Sequence, residues 1–121
     1  MKEEIQLDEK VLEAFHLMFD NYPAAAQLTH KSKRIMALNP ACRAMGRDVG
    51  MICAKHGPPE AHQGCLAAKM LKERKPQWAA AENTAPGVQN MVVFWLPIDG
   101  HPDFYIHFAV AYPFTPACPA G

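Results

Sequence analysis

Residues 22–46 read YPAAAQLTHKSKRIMALNPACRAMG, and the order of elements in this stretch decides the fold. Pro23 disfavours helix at the residue before it, so any helix upstream stops short of Tyr22. Two arms, 24–30 and 33–38, flank the polar turn His30-Lys31-Ser32-Lys33, which is a hairpin pattern with an alanine-rich first arm. Asn39-Pro40 then opens a short helix through Met45. An Asn side chain can cap the first orphan N–H groups, and Pro at the first helical position sacrifices an N–H that has no intrahelical partner. Gly46 and Gly50 break the chain beyond it.

Upstream, Val11, Leu12, Phe15, Met18 and Phe19 recur at three- and four-residue steps, the stripe of an amphipathic helix. Asp8 is placed to cap it, with Leu7 and Leu12 as a hydrophobic staple, and the helix should stop near Asn21. Downstream, Gly57-Pro58-Pro59 precedes a helix over about 60–74, whose buried face is Leu66, Ala67, Met70 and Leu71; Pro76 ends it. The rest reads as strand over 77–82, 88–98 and 103–112, with turns at 83–87 and Asp99-Gly100. In the last strand Phe104, Ile106, Phe108 and Val110 alternate with Tyr105, His107 and Ala109. The first set is expected to face the core and the second the opposite side of the sheet. Residues 113–121 are rich in proline and small side chains and form a loose tail. The organisation is thus a flanking helix over 1–21, a domain over 22–112 and the tail, with no internal repeat.

Composition narrows the function classes. A chain of 121 residues, half of them hydrophobic and a fifth charged, has the size and balance of one globular domain. Its 12 basic and 12 acidic residues cancel, so no net field draws nucleic acid or an anionic membrane. The basic run Lys31-Ser32-Lys33-Arg34 is a solvated turn. No apolar run approaches the roughly 20 residues that span a bilayer. The start, Met1-Lys2-Glu3-Glu4, lacks the apolar core of a signal peptide. A cytoplasmic location is expected, with Cys42, Cys53, Cys65 and Cys118 as thiols or metal ligands rather than disulfides.

Tyr22-Pro23, Lys33-Arg34-Ile35 leading into a strand, and Asn39-Pro40-Ala41 followed by Gly46 together resemble the opening of a PAS domain. Trp95-Leu96-Pro97-Ile98 and Tyr105-Ile106-His107-Phe108 are similar to the last two strands of that family. The resemblance covers about residues 12–112. It implies an α+β fold, a five-stranded antiparallel sheet with helices packed on one face and an N-terminal helix, enclosing a ligand-sized interior. It further implies a non-catalytic sensory and signal-transduction module. Such a module would hold haem, flavin, a small metabolite or nothing, and would work as a homodimer or with a signalling partner protein. Cys42, Trp95, Phe104, Ile106 and Phe108 are the candidate pocket residues, and Phe15, Met18 and Phe19 on the N-terminal helix are the candidate dimer contacts.

A narrower likeness joins Gly50-Met51-Ile52-Cys53, His56-Gly57 and Gly64-Cys65-Leu66 to a bacterial subgroup with a Cys/His segment before the long helix. The sequence departs from that pattern at Ala68, where a second helix cysteine is expected. Taken without the family, Cys53, His56, His62 and Cys65 form a compact set of thiolates and imidazoles that suits tetrahedral zinc. Their ligand pairs stand closer than in usual zinc signatures, and both cysteines can equally be small core side chains. A metal- or redox-responsive variant built on these four residues is the alternative reading.

Other chemistry finds less support. His107 is either an axial haem ligand, a pocket group or a satisfied strand histidine, and Trp95 either stacks on a flat cofactor or belongs to the core. Ala41-Cys42-Arg43-Ala44 lacks the neighbours of the flavin photoadduct motif, and Cys118 is an incidental thiol. No phosphate loop, nucleophile elbow or zincin helix occurs. A thiol enzyme would rest on Cys53 beside His56 alone, and Asp99 and Asp103 flank a turn, so no enzyme is expected.

Overall fold

The first helix, α1 (Glu9–Phe19), starts where the Asp8 carboxylate accepts a hydrogen bond from the Lys10 N–H at 2.9 Å. This computed structural model describes residues 5–52, 66–81 and 90–112. Helix α1 ends two residues before the expected stop. The Tyr22 N–H donates back to the Phe19 carbonyl at 3.0 Å in a turn that Pro23 then forces into extended backbone.

Strands β1 (Ala26–His30) and β2 (Ile35–Leu38) form the expected antiparallel hairpin. Its turn places Lys33 at a φ of 76°, and a register shift follows Leu28. The Asp103 carbonyl accepts the Lys31 N–H at 2.8 Å, so the hairpin turn is pinned to the start of the last strand. Helix α2 (Pro40–Ala44) follows at once, capped by the Asn39 side chain. Within the described residues α3 (Ala67–Glu73) is next; the start of the helix expected over 60–74 lies outside them. Strands β3 (Gln77–Ala81), β4 (Asn90–Pro97) and β5 (Phe104–Tyr112) complete the chain order. The turn between β4 and β5 holds Gly100 at a φ of 81°, a backbone state that costs a residue with a Cβ.

All five strands join one antiparallel sheet in the order β2-β1-β5-β4-β3, so the first strand lies beside the last at its centre. Pleating sorts the side chains into two faces, and both are covered. On one face Ala26, Leu28, Phe104, Ile106 and Phe108 pack against α1, with Phe15 buried among them. On the other face Trp95 and Tyr105 pack against Ala67 and Met70 of α3, while Ile35 and Leu38 pack against Cys42 of α2. The expected architecture is therefore present: helices on one face, and the N-terminal helix laid across the opposite one.

Among the described residues no helix is long and apolar enough to cross a membrane.

Candidate functional site

Gln27 of β1 is a polar side chain that follows three alanines, buried at 1% exposure. Its position decides where the interior site lies. It stands opposite His107 in the register of β1 and β5, on the α2 side of the sheet. There a cavity of about 90 Å3 opens between the sheet and the α2 region. Gln27, His107 and Ala109 form part of its floor, Val93 and Met91 come from β4, and Cys42, Met45 and Arg47 close it from α2 and beyond.

A short polar chain runs along this cavity. Arg47 Nη1 donates to Gln27 Oε1 at 2.9 Å, and Gln27 Nε2 donates to Thr29 Oγ1 at 3.0 Å. The Cys42 sulfur lies 3.9 Å from Gln27 Oε1. Gln27 and Thr29 thus find side-chain partners, as burial requires. Arg47 Nε, in contrast, is buried with no hydrogen-bond partner among the described residues, and so is Trp95 Nε1. Trp95 meets the edge of the His107 ring at a centroid distance of 4.9 Å.

The candidate pocket residues divide between the two faces. Cys42 lines the cavity, and Trp95 shares its face of the sheet. Phe104, Ile106 and Phe108 do not belong to it. They point to the opposite face, where Phe108 stacks on Phe94 at 4.9 Å and meets Phe19 of α1 at 6.1 Å. The alternation of β5 is as expected, with Phe104, Ile106 and Phe108 in the core and Tyr105, His107 and Ala109 on the opposite side of the sheet. The bulky set is covered by α1, and the set holding His107 and Ala109 faces the cavity. Gln27, Arg47, Met91 and Val93 carried no periodic signal that marks a pocket. The one available hint was a polar residue directly after the run Ala24-Ala25-Ala26.

Of the candidate dimer residues, Phe15 is buried within its own protomer and Phe19 is half-buried beside it, stacked at 5.4 Å. Met18, at 65% exposure, and Leu17, at 87%, form the outward face of α1. Trp78 of β3 is also outward, at 63%; its cross-strand partner is Phe94, on the face that α1 covers.

Cys53, His56, His62 and Cys65 lie outside the described residues, as does Cys118. Among the described residues no three His, Cys, Asp or Glu side chains converge as a metal site.

A second hollow, about 470 Å3, is a broad surface groove between α1 and α2. It is bordered by His16 and Asp20, in contact at 2.8 Å, and by Arg43, which pairs with Asp48 at 2.8 Å. The Asp48 carboxyl is held below the usual carboxylate range, first by the Val49 N–H and then by Arg43.

Asn39 connects the cavity wall to α1. It is fully buried. Its Oδ1 accepts from the N–H groups of Ala26 and Cys42, both at 3.0 Å. Its Nδ2 hydrogens are shared among the carbonyls of Phe19 at 3.0 Å, Tyr22 at 3.2 Å and Ala24 at 2.8 Å. One side chain therefore joins the end of α1, the linker, the start of β1 and the cap of α2. Beside it the Tyr22 hydroxyl donates to the Ala109 carbonyl at 2.8 Å, and burial pushes that hydroxyl's pKa up.

Solved structures place this arrangement. The PAS domain of BvgS from Bordetella pertussis superposes with a TM-score of 0.65 at 18% identity, covering 84% of this chain and 86% of that one. The LOV protein of Rhodobacter sphaeroides gives 0.64 at 18% identity over 91% of this chain and 71% of its own. A sensory box sensor histidine kinase from Vibrio cholerae gives 0.60 at 9% identity, over 90% of this chain and 98% of that one. No protein-family model matches the sequence, and no curated protein matches it. The chain has the PAS fold.

Proposed function

We propose that this chain is a sensory, signal-transducing PAS module of the cytoplasm that binds a small ligand in the cavity beneath α2 and does not transform it. The observation that carries this reading is the interior cavity with its Arg47–Gln27–Thr29 polar chain. A domain interior is normally filled to crystal-like density, and buried polar groups are normally satisfied. A hollow that also leaves a guanidinium nitrogen unpartnered is better suited to a guest than to stability alone. Its volume lies far below the roughly 300 Å3 at which pockets for drug-sized ligands begin. The cavity bounded by described residues therefore favours a small metabolite over haem or flavin.

The signal would leave through Asn39, whose hydrogen bonds join the cavity wall at Cys42 to the end of α1 at Phe19. The outward residues Leu17 and Met18 would then present that change to a second copy or to a signalling partner. The test is native mass spectrometry of protein incubated with a library of small metabolites, run beside Ala109→Leu. Leucine at this position adds about three carbons to the floor of the cavity, enough to crowd a guest out. Binding by the parent and its loss in Ala109→Leu supports the reading. Equal binding by both refutes it.

A further inference from the structure

We propose that the ligand is a small monocarboxylate, held by Arg47 through its Nε–Nη2 edge with its alkyl part against the apolar wall of the cavity. This rests on the cavity being the ligand site and adds the chemical class. Three observations carry it.

The first is the unbalanced charge. Arg47 lines an interior cavity, and its only hydrogen bond among the described residues runs from Nη1 to the neutral amide of Gln27 at 2.9 Å. Arg47 is half-buried, but its Nε is shut off from water without a partner among the described residues, and leaving a buried donor unpaired is costly. The acidic residue next in sequence, Asp48, is committed elsewhere: it takes Arg43 at 2.8 Å and the Val49 N–H at 2.7 Å. Among the described residues no carboxylate pairs with Arg47.

The second is the geometry of the unused donors. With Nη1 occupied, the remaining edge of the planar group presents Nε–H and one Nη2–H side by side. That is the fork which matches the two oxygens of a carboxylate. Among the described residues Arg47 Nε is buried with no partner, as are Arg34 Nε and Trp95 Nε1.

The third is the shape and polarity of the space. Ala25, Met91, Val93 and Ala109 supply the apolar lining. A volume of about 90 Å3 equals roughly three waters, so a guest has only a few heavy atoms, which only the shortest alkyl carboxylates approach. Sulfate or phosphate would aim oxygens at this hydrocarbon lining, whereas an alkyl carboxylate is polar only at the end that meets Arg47.

Calorimetric titration of the intact chain with acetate, propionate and butyrate, at constant ionic strength, tests this beside propionamide, phosphate and nitrate. The expected result is that at least one acid binds and that propionamide, phosphate and nitrate each bind at least tenfold more weakly. Arg47→Gln should then lose at least tenfold in affinity for the acid, the usual cost of losing a charge-assisted pair. Arg47→Lys keeps the charge without the fork and should lose several-fold; it serves if Arg47→Gln does not fold. Propionamide, phosphate or nitrate binding as tightly as the acids, or Arg47→Gln and Arg47→Lys both keeping parental affinity, overturns the carboxylate assignment and leaves the ligand-site reading standing. If nothing in the series binds and the metabolite library also finds no guest that Ala109→Leu excludes, both readings fall.

Discussion

The Asn39 amide donates to the Phe19 carbonyl at 3.0 Å, and this bond joins the cap of α2 to the last residue of α1. The same side chain accepts from the Ala26 and Cys42 N–H groups. Removing it orphans the two N–H donors of Ala26 and Cys42 and takes a donor from the Tyr22 and Ala24 carbonyls, while the Phe19 carbonyl keeps the Tyr22 N–H; each buried unsatisfied group costs about 1–3 kcal/mol. Asn39→Ala should therefore lose about 3 kcal/mol or more, read as a fall in Tm of about 10 °C. Asn39→Asp should be at least as damaging, because it places a charge in the same buried position and removes every donor. Urea denaturation of both variants checks the order; parental stability in either one removes Asn39 from its connecting role.

Phe15 is a structural residue of its own protomer. It packs against Leu28, Ala37 and Phe104 and stacks on Phe19. Phe15→Ala should cost about 3–5 kcal/mol, the range for deleting a buried phenyl ring. Deleting residues 1–20 is for the same reason a poor test of association, since it would uncover the sheet.

Association is better tested at Leu17 and Met18, the exposed apolar pair on α1. If this face joins two copies, Leu17→Glu with Met18→Glu should shift the mass by light scattering from dimer to monomer while circular dichroism stays unchanged. A dimer that survives the double substitution excludes this part of α1.

Tyr22→Phe removes only the hydroxyl that donates to the Ala109 carbonyl. It should cost about 1 kcal/mol, the usual net value of one hydrogen bond, with the carbonyl left to find another donor.

His30 gives the fold a pH dependence. Burial lowers its pKa from the ordinary 6.5, with Lys31 and Arg34 acting the same way and Asp103 opposing them. The Ser32 N–H donates to His30 Nδ1 at 3.1 Å, which needs the neutral ring. The folded state therefore binds the proton less readily than the unfolded chain. This contribution is complete above about pH 6.5 and is lost as pH falls through that value towards the lower folded one. Stability measured across this window should fall less steeply in His30→Asn; an identical slope would show that His30 is not its source.

The order of elements was legible because each carries a local cause. Pro23 stops a helix, Asn39-Pro40 starts one, and Gly100 permits its turn. The alternation of β5 was legible for the same reason, since pleating makes side chains alternate whatever covers them. Which face holds the cavity was not. Both faces of the central strands are covered, so bulky apolar residues mark either one, and Phe104, Ile106 and Phe108 belong under α1. Arg47 sits in a loop, where no period distinguishes a solvated arginine from one turned inward. The connecting role of Asn39 was legible only as a cap, because its bonds to Phe19 and Tyr22 span chain separations that no short motif encodes.

The central claim is that a ligand in the cavity is felt at the end of α1. Amide chemical shifts recorded while a bound acid is titrated in test it most directly. The account predicts shifts first at Gln27, Cys42, Arg47 and Ala109, and with the same saturation curve at Phe19 and Tyr22, with the latter pair unresponsive in Arg47→Gln. A saturable ligand that moves the cavity residues and leaves Phe19 and Tyr22 untouched would contradict it.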